Sequence, residues 1–506
     1  MSRCTSRDDG DTNSEVQVVL PSSGNEARRN ERQGVGALHS TDEAGEPTRG
    51  TQWRKGSVGP RTCSRERRRE MQSSITVSTK LERIAKLARQ MAGTPLTSLS
   101  HHMDMDWMRE AWKRTRKSGA RGVDGVTARE YEQDLENNLQ SLLDRAKSGR
   151  YFAPPVRRVE IPKGKGKETR PIGIPTLEDK VLQRAVVMAL DAVYEQDFLS
   201  CSYGFRRGRS AHDALKDLWT GTMNMNGGWL VEVDIRRFFD TLDRPRLREI
   251  LRQRVRDGVL LRLIDKWLKA GVMESGNLRY PEAGTPQGGV ISPLLANIYL
   301  HEVLDQWMTD RVAPKLRGPV MLIRYADDVV MLFKTEHDAR RVFQALPERF
   351  ASYGLELHPS KTRLIEFGQP RYRDPNPPHV SFDFLGFTHY WGRAHKGGWI
   401  VKRKTAKDRL SRSLHAIRQW CKRYRHLPLA MQHRALCAKV RGHYGYFGVT
   451  GNGRCLRAFL RETERAWQKW LNRRNREASM YWTRFERILA HYPLPPVRLT
   501  RSIYRT

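Results

Sequence analysis

Cysteine is scarce and unpatterned in this chain. Its six residues, Cys4, Cys63, Cys201, Cys421, Cys437 and Cys455, are scattered with no C-x-x-C pair, which gives no zinc site and suits free thiols in a reducing cytosol. Long apolar runs are missing too: nothing approaches the roughly 20 residues that a membrane-spanning helix needs. The first twenty residues lack the basic start and apolar core of a secretory signal. Acidic residues fall short of basic ones, 56 against 91, which leaves a formal net charge of +35 and a pI near 10.3. An excess of this size favours a polyanion; nucleic acid leads, and an anionic membrane surface is a weak second. With 506 residues there is room for several domains and a sizeable core.

What carboxylates there are cluster tellingly. Met321-Leu-Ile-Arg-Tyr-Ala-Asp-Asp-Val-Val-Met-Leu-Phe333 reads as two short strands with adjacent Asp327 and Asp328 at the turn between them. Like charges ~4 Å apart repel by roughly 4 kcal/mol at an effective dielectric of 20, so the pair makes sense under a divalent cation. A solvated Asp-Asp turn is the plainer alternative. Upstream, Trp229-Leu-Val-Glu-Val-Asp-Ile235 alternates, with Val231, Val233 and Ile235 on one face and Glu232 and Asp234 on the other. Asp234 with Asp327 and Asp328 would offer oxygens to two Mg²⁺ ions about 3.5–4 Å apart, the arrangement that serves phosphoryl transfer.

Tyr325-Ala-Asp-Asp328 resembles the signature of reverse transcriptases, and from about Lys80 to Thr506 the chain resembles bacterial group II intron-encoded reverse transcriptase/maturases. The resemblance places the metal at Asp234, Ile235, Asp327 and Asp328, with Mn²⁺ as a substitute for Mg²⁺, and makes the three aspartates catalytic. It also assigns the incoming dNTP to Lys163 and Arg170 in Lys163-Gly-Lys-Gly-Lys-Glu-Thr-Arg-Pro-Ile-Gly-Ile-Pro175, which is not a P-loop. Phe239 in Arg236-Arg-Phe-Phe-Asp240 becomes the steric gate against a 2′-hydroxyl. Gln287, in Gly284-Thr-Pro-Gln-Gly-Gly-Val-Ile-Ser-Pro293, lies against the nascent base pair, and Lys361 stands near departing pyrophosphate. Ser292 is expected to cap the helix that follows, with Pro293 in its first turn.

Taken in order, residues Met1 to Arg69 read as disordered. Met71 precedes the first amphipathic pattern, so translation is expected to start at Met1 or Met71. From Ser78 the pattern is helical, with Leu81, Ile84, Leu87 and Met91 recurring. Ser202-Tyr-Gly-Phe-Arg-Arg-Gly-Arg-Ser210 is a basic loop in which Tyr203 or Phe205 can stack a base while Arg206 and its neighbours hold phosphate; buried aromatics are the alternative. Phe382-Asp-Phe-Leu-Gly-Phe-Thr388 resembles the family's primer-gripping turn. From Arg403 the chain is helical, basic and aromatic-rich: Leu410, Leu414, Ile417 and Trp420 form a stripe, and Arg441-Gly-His-Tyr-Gly-Tyr-Phe447 supplies Arg441 and Tyr444 as nucleic-acid contacts. No H-N-H signature or cysteine cluster follows, so the resemblance is to the form lacking the DNA endonuclease.

The expected fold is α+β: right-hand polymerase fingers and palm with an antiparallel palm sheet, then an α-helical thumb/maturase domain. The expected boundaries are a disordered 1–75, a helical extension of the fingers over 76–150, fingers and palm over 151–390, and the thumb over 391–506. The expected function is RNA-templated DNA synthesis coupled to splicing and mobility of a host intron. Its partners are that intron RNA, an RNA template, a DNA primer or target and dNTPs, with no membrane, and with a dimer left open. The expected location is the bacterial cytoplasm, in nucleoid-associated ribonucleoprotein. Two rivals are a domesticated, defence-associated or diversity-generating reverse transcriptase and a non-enzymatic RNA-binding splicing factor that has kept only the fold.

Overall fold

The structure, a computed structural model, describes residues 62–162, 169–274, 277–279, 288–371, 379–395, 397–474 and 480–502. The chain divides into two units, Met1–Met71 and Gln72–Thr506, and the side chains discussed below belong to the second. The first helix spans Thr62–Gln90, so residues 62–75 are helical rather than part of a disordered extension. Its buried stripe runs Val77, Ile84 and Ala88, with Leu81 packed alongside, whereas Leu87 is exposed. Asp104 caps the next helix, Met105–Arg114, by accepting from Trp107 N at 3.1 Å. Trp107 itself is buried and donates from its indole to Ala185 O at 3.0 Å. That bond docks the amino-terminal helices on the helix Leu177–Tyr194, which is buried on most of its surface by Val181, Leu182, Ala185, Val186, Ala189 and Leu190, with Lys180, Arg184 and Asp191 on its less buried side.

Eleven strands are described: β1 (Val156–Pro162), β2 (Thr169–Ile174), β3 (Trp229–Val233), β4 (Val272–Glu274), β5 (Asn277–Arg279), β6 (Val320–Tyr325), β7 (Asp328–Phe333), β8 (Arg363–Glu366), β9 (Ser381–Phe384), β10 (Phe387–Arg393) and β11 (Trp399–Thr405). They form three sheets, ordered β2-β1-β4-β5, β6-β7-β3-β8 and β11-β10-β9. The second is antiparallel throughout, as expected of the palm. The first holds the β1–β2 hairpin, in which Ile161 faces Arg170.

Beneath the palm sheet runs the helix Ser292–Leu300, which continues as a π-helix over His301–Val312. Pro293 lies in its first turn as expected, but Ile291 occupies the cap position and Ser292 is buried inside the helix, so the serine does not cap it. Leu295, Ile298, Tyr299 and Leu300 pack into the main core.

A second core joins the palm's other face to the β9–β11 sheet through Leu230, Phe367, Phe382, Phe384 and Phe387. The third belongs to the carboxyl-terminal helices Lys407–Arg423, Leu429–Phe447, Gly453–Leu471 and Trp482–His491. Ile417 is buried there, with Leu410, Leu414 and Trp420 against it, and Trp467 donates to Gln432 Oε1 at 2.9 Å.

His389 on β10 is fully buried, stacked on Phe382 at 4.9 Å, and pushed down to about 3 by burial and by the nearby Arg403. Its neutral ring is compatible with the folded state; the unfolded chain takes up a proton near the ordinary 6.5. Stability from this residue is therefore present above 6.5 and is lost as the pH falls toward the folded value. His389→Phe keeps a ring on Phe382 without a titrating nitrogen. Between pH 7.5 and 5 the wild type is expected to lose about 2 kcal/mol more than the variant, read as the difference in urea unfolding.

Candidate active site

Strand register brings the acidic residues together. β3 and β7 pair antiparallel with Val233 opposite Val329. One step on along β3 is Asp234, and one step back along β7 is Asp328, so the ladder sets these two side by side. β6 and β7 close with Tyr325 opposite Asp328, leaving Ala326 and Asp327 as a two-residue turn. Ala326 takes a left-handed φ of 57°, at roughly 1 kcal/mol for a residue with a Cβ. On the alternate face of β3, Val231, Val233 and Ile235 enter the main core.

The carboxylates open on a cleft of about 410 Å³ whose lining includes Asp234, Asp328, Lys361, Asp383 and Arg409. Asp328 is pushed up to about 6, first by burial among the cleft walls and then by Asp327 and Asp234; Arg409 and Arg170 act against this. Burial also raises Asp327, with its own backbone amide and Arg170 opposing and Asp234 adding to the rise. By surface area Asp328 is exposed, so it is the surrounding cleft walls rather than enclosure that desolvate it, and a solute can reach it. Glu232, on the same face as Asp234, is taken up by Arg363 at 2.8 Å.

Asp234 and Asp328 in the cleft lining, with Asp327 in the adjoining turn, crowd negative charge that suits a divalent cation, whose charge favours their ionised forms. In this structure they are not gathered into a closed cage: among the described residues no three acidic, His or Cys side chains stand at metal-holding distance. Asp234 instead turns to Lys361, with Nζ 3.1 Å from Oδ2. The Asp234 carbonyl accepts from His358 N at 2.8 Å. The Ile235 side chain is buried, so its backbone carbonyl is the group that residue has to offer a metal.

Of the other described residues singled out from the sequence, Lys361 lines this cleft. Arg170 lies on β2 and its charge reaches Asp327, Asp328 and Asp240. Phe239 is half-buried in the short helix Phe238–Thr241, edge-on to Phe238 at 5.3 Å, while Phe238 is the ring that enters the core. Lys163 and Gln287 lie outside the described residues. Gly288, next to Gln287, has φ +112°, and a Cβ there would meet Gly173 O at 2.5 Å; the close approach to β2 requires glycine.

The basic loop divides. Phe205 is 63% exposed with φ 58°. Tyr203 is buried, its hydroxyl bound to Asp217 and its N–H donating to Arg324 O at 2.9 Å, so its ring is unavailable for stacking. Arg206 is also structural: it pairs with Glu195 at 2.9 Å and donates to Leu199 O at 2.7 Å and Ser202 O at 2.9 Å. In the carboxyl-terminal helices Arg441 is exposed, but Tyr444 is buried with its hydroxyl toward Pro495 O, and contributes to the core instead of to a surface. Reading each as a nucleic-acid contact treated basic and aromatic composition as exposure; the packing corrects it for Tyr203, Arg206 and Tyr444.

Sequence reasoning missed Arg324. It is fully buried, as is its partner Asp305, and it lies two residues from the left-handed turn. An arginine inside the apolar run Met321-Leu-Ile-Arg-Tyr325 was the available signal, because a buried charge needs a partner. Gly204 was missed as well. A Cβ there would come within 2.3 Å of Ala326 N, so the basic loop is pressed directly on the acidic turn.

Residues 161–389 match the family model of reverse transcriptase (RNA-dependent DNA polymerase). The chain is 42% identical over 320 residues to the protein YkfC of Escherichia coli, covering 56% of this chain and 80% of that one. It is 34% identical over 313 residues to the group II intron-encoded protein LtrA of Lactococcus lactis, covering 60% of this chain and 48% of LtrA. A putative COX1/OXI3 intron 1 protein of Saccharomyces cerevisiae is 30% identical over 283 residues, 31% of its length. The chain thus spans about half of LtrA and less of the yeast protein. No helix among the described residues is long and apolar enough to cross a membrane. With the antiparallel palm, the paired acidic strands and the helical carboxyl-terminal region, these likenesses identify the family: the chain belongs to the reverse transcriptases, RNA-dependent DNA polymerases, of the bacterial group II intron-encoded kind.

Proposed function

We propose that this chain copies RNA into DNA at the Asp234–Asp327–Asp328 cleft, and that it binds its host intron RNA, assists its splicing and copies the intron during retromobility. The observation that carries the reading is the β3–β7 register, which sets Asp234 beside Asp328 at the edge of an open cleft flanked by Arg170 and Arg409. Asp234, Asp327, Asp328 and the Ile235 backbone would hold Mg²⁺, or Mn²⁺ in its place. Ions bound there would supply Lewis acidity to the primer 3′-hydroxyl and to the departing oxygen.

The chain's own residues supply the rest. Arg170 and Lys163 neutralise the triphosphate from the fingers hairpin, and Lys361 is close enough to Asp234 to exchange that partner for a phosphate. Phe239 offers a ring edge against the sugar, and Gln287 packs against the new base pair. Phe205, held outward beside the acidic turn, stacks on a base of the bound strand. Exposed arginines of the carboxyl-terminal helices, Arg441 among them, contact RNA phosphates, so intron affinity falls with salt. In this scheme fingers and palm occupy 151–390 and the thumb/maturase region 391–506, with the helical extension over 76–150.

Asp327→Ala removes one carboxylate and relieves repulsion on Asp328, so the fold is expected to survive while primer extension on an RNA template falls by orders of magnitude. Intron binding and assisted splicing are expected to persist at the same salt concentration. Normal extension by the variant would defeat the assignment of the site; joint loss of splicing and extension in a folded variant would defeat the division between palm and RNA-binding surfaces. Phe239→Val is expected to relax discrimination between dNTP and NTP in single-nucleotide extension, and an active variant with unchanged discrimination removes the gate. Phe205→Ala is expected to weaken primer–template binding by about 1–3 kcal/mol, with Phe205→Trp restoring it; equal binding by the Ala and Trp variants would exclude stacking.

A further inference from the structure

Every guanidinium donor of Arg324 is used, and one of them reaches the acidic turn from behind. Its Nε and Nη2 reach Asp305 at 2.8 and 2.5 Å, Nη2 also reaches Ser202 Oγ at 2.8 Å, and Nη1 reaches Asn297 Oδ1 at 2.8 Å and Ala326 O at 3.2 Å. These partners come from the π-helix, the helix before it, the basic loop and the turn itself. Asn297 extends the network by donating to Gly204 O at 2.6 Å, and Gly204 is the residue pressed on Ala326. The backbone of Arg324 is clamped as well: its N–H donates to Cys201 O at 2.8 Å.

A fully buried ion pair adds little net stability compared with a well-packed apolar pair. What a planar, bidentate guanidinium supplies is direction. The Ala326 carbonyl it holds belongs to the peptide bond whose nitrogen is that of Asp327. Fixing this carbonyl fixes the plane from which the Asp327 side chain departs, and it holds Ala326 in its left-handed conformation. Lysine, a point charge on a flexible stem, can neutralise Asp305 but cannot reproduce that plane.

We propose that Arg324 is a positioning residue: braced by Asp305, it holds the Ala326–Asp327 peptide so that Asp327 and Asp328 are presented together to a divalent cation. This rests on the reading of those aspartates as metal ligands. The test compares the full-length wild type with Arg324→Lys, the double variant Arg324→Met/Asp305→Leu, which removes both buried charges, and Asp327→Ala. Mn²⁺ affinity is read by electron paramagnetic resonance without nucleic acid, alongside thermal midpoint, primer–template affinity and the Mg²⁺ dependence of primer extension.

The double variant is expected to fold and to bind primer–template as the wild type does. It is expected to bind Mn²⁺ about tenfold or more weakly and to need correspondingly more Mg²⁺ for half-maximal extension, in the range seen when a partner of a metal ligand is removed. Arg324→Lys is expected to shift the same way. Wild-type Mn²⁺ affinity and Mg²⁺ dependence in the folded double variant, with Asp327→Ala having lost Mn²⁺, would overturn the role of Arg324 alone. Undiminished Mn²⁺ binding by Asp327→Ala would overturn the ligand reading and the proposal with it. If the Arg324 variants do not fold, Asn297→Ala removes one acceptor and leaves the ion pair intact. The same shift, smaller, is then expected, and its absence overturns the proposal.

Discussion

The pairing of β3 with β7 is the constraint on which the rest of this structure depends. With Val233 opposite Val329, Asp234 and Asp328 become neighbours; a slip of one residue would turn every side chain of β3 to the other face and send Asp234 into the main core. The register is specified from both sides. Val231 and Val233 fill the core toward the helices, and Leu230 fills the second core toward the β9–β11 sheet. Both faces of the strand are therefore apolar until its last residues, where the second face becomes acidic.

Around that pairing, charge is handled in two ways. At the cleft, carboxylates are left crowded, and Asp328 is held near 6 by burial and by its neighbours. Behind the turn, charge is neutralised completely: Arg324 and Asp305 are both buried and bonded to one another. The first arrangement stores repulsion where a cation can relieve it; the second holds the turn rigid while it does so. Gly204 and Gly288 serve the same layout sterically, the first bringing the basic loop onto the turn and the second standing against Gly173 of β2.

Where the reading from sequence misplaced nucleic-acid contacts, one reason accounts for all of them. Tyr203, Arg206 and Tyr444 sit in basic, aromatic-rich stretches, and nothing local distinguishes a ring or guanidinium on the surface from one bonded inside. Tyr203 and Phe205 are two positions apart in one loop, yet one is bound to Asp217 in the second core and the other is exposed. Ser292 was a reasonable cap by type, but the helix entered one residue earlier on Ile291. At the amino-terminal end, the helix begins at Thr62, in a stretch whose composition alone carries no apolar stripe.

What the sequence determined by itself was everything that rests on local pattern: the alternation of β3, the two short strands meeting near Asp327 (the turn itself being Ala326–Asp327, with Asp328 already on β7), the helical stripe of Leu410, Leu414, Ile417 and Trp420, and the excess of positive charge. These are legible because strand and helix periods are written in neighbouring residues. Tertiary structure alone decided which strand lies beside which, hence that Asp234 meets Asp328. It also decided which arginine is buried and which aromatic is free. Those outcomes depend on partners more than a hundred residues away along the chain for Arg324 and Ser202 (|i−j| = 122), and distance of that kind leaves no trace in local spacing.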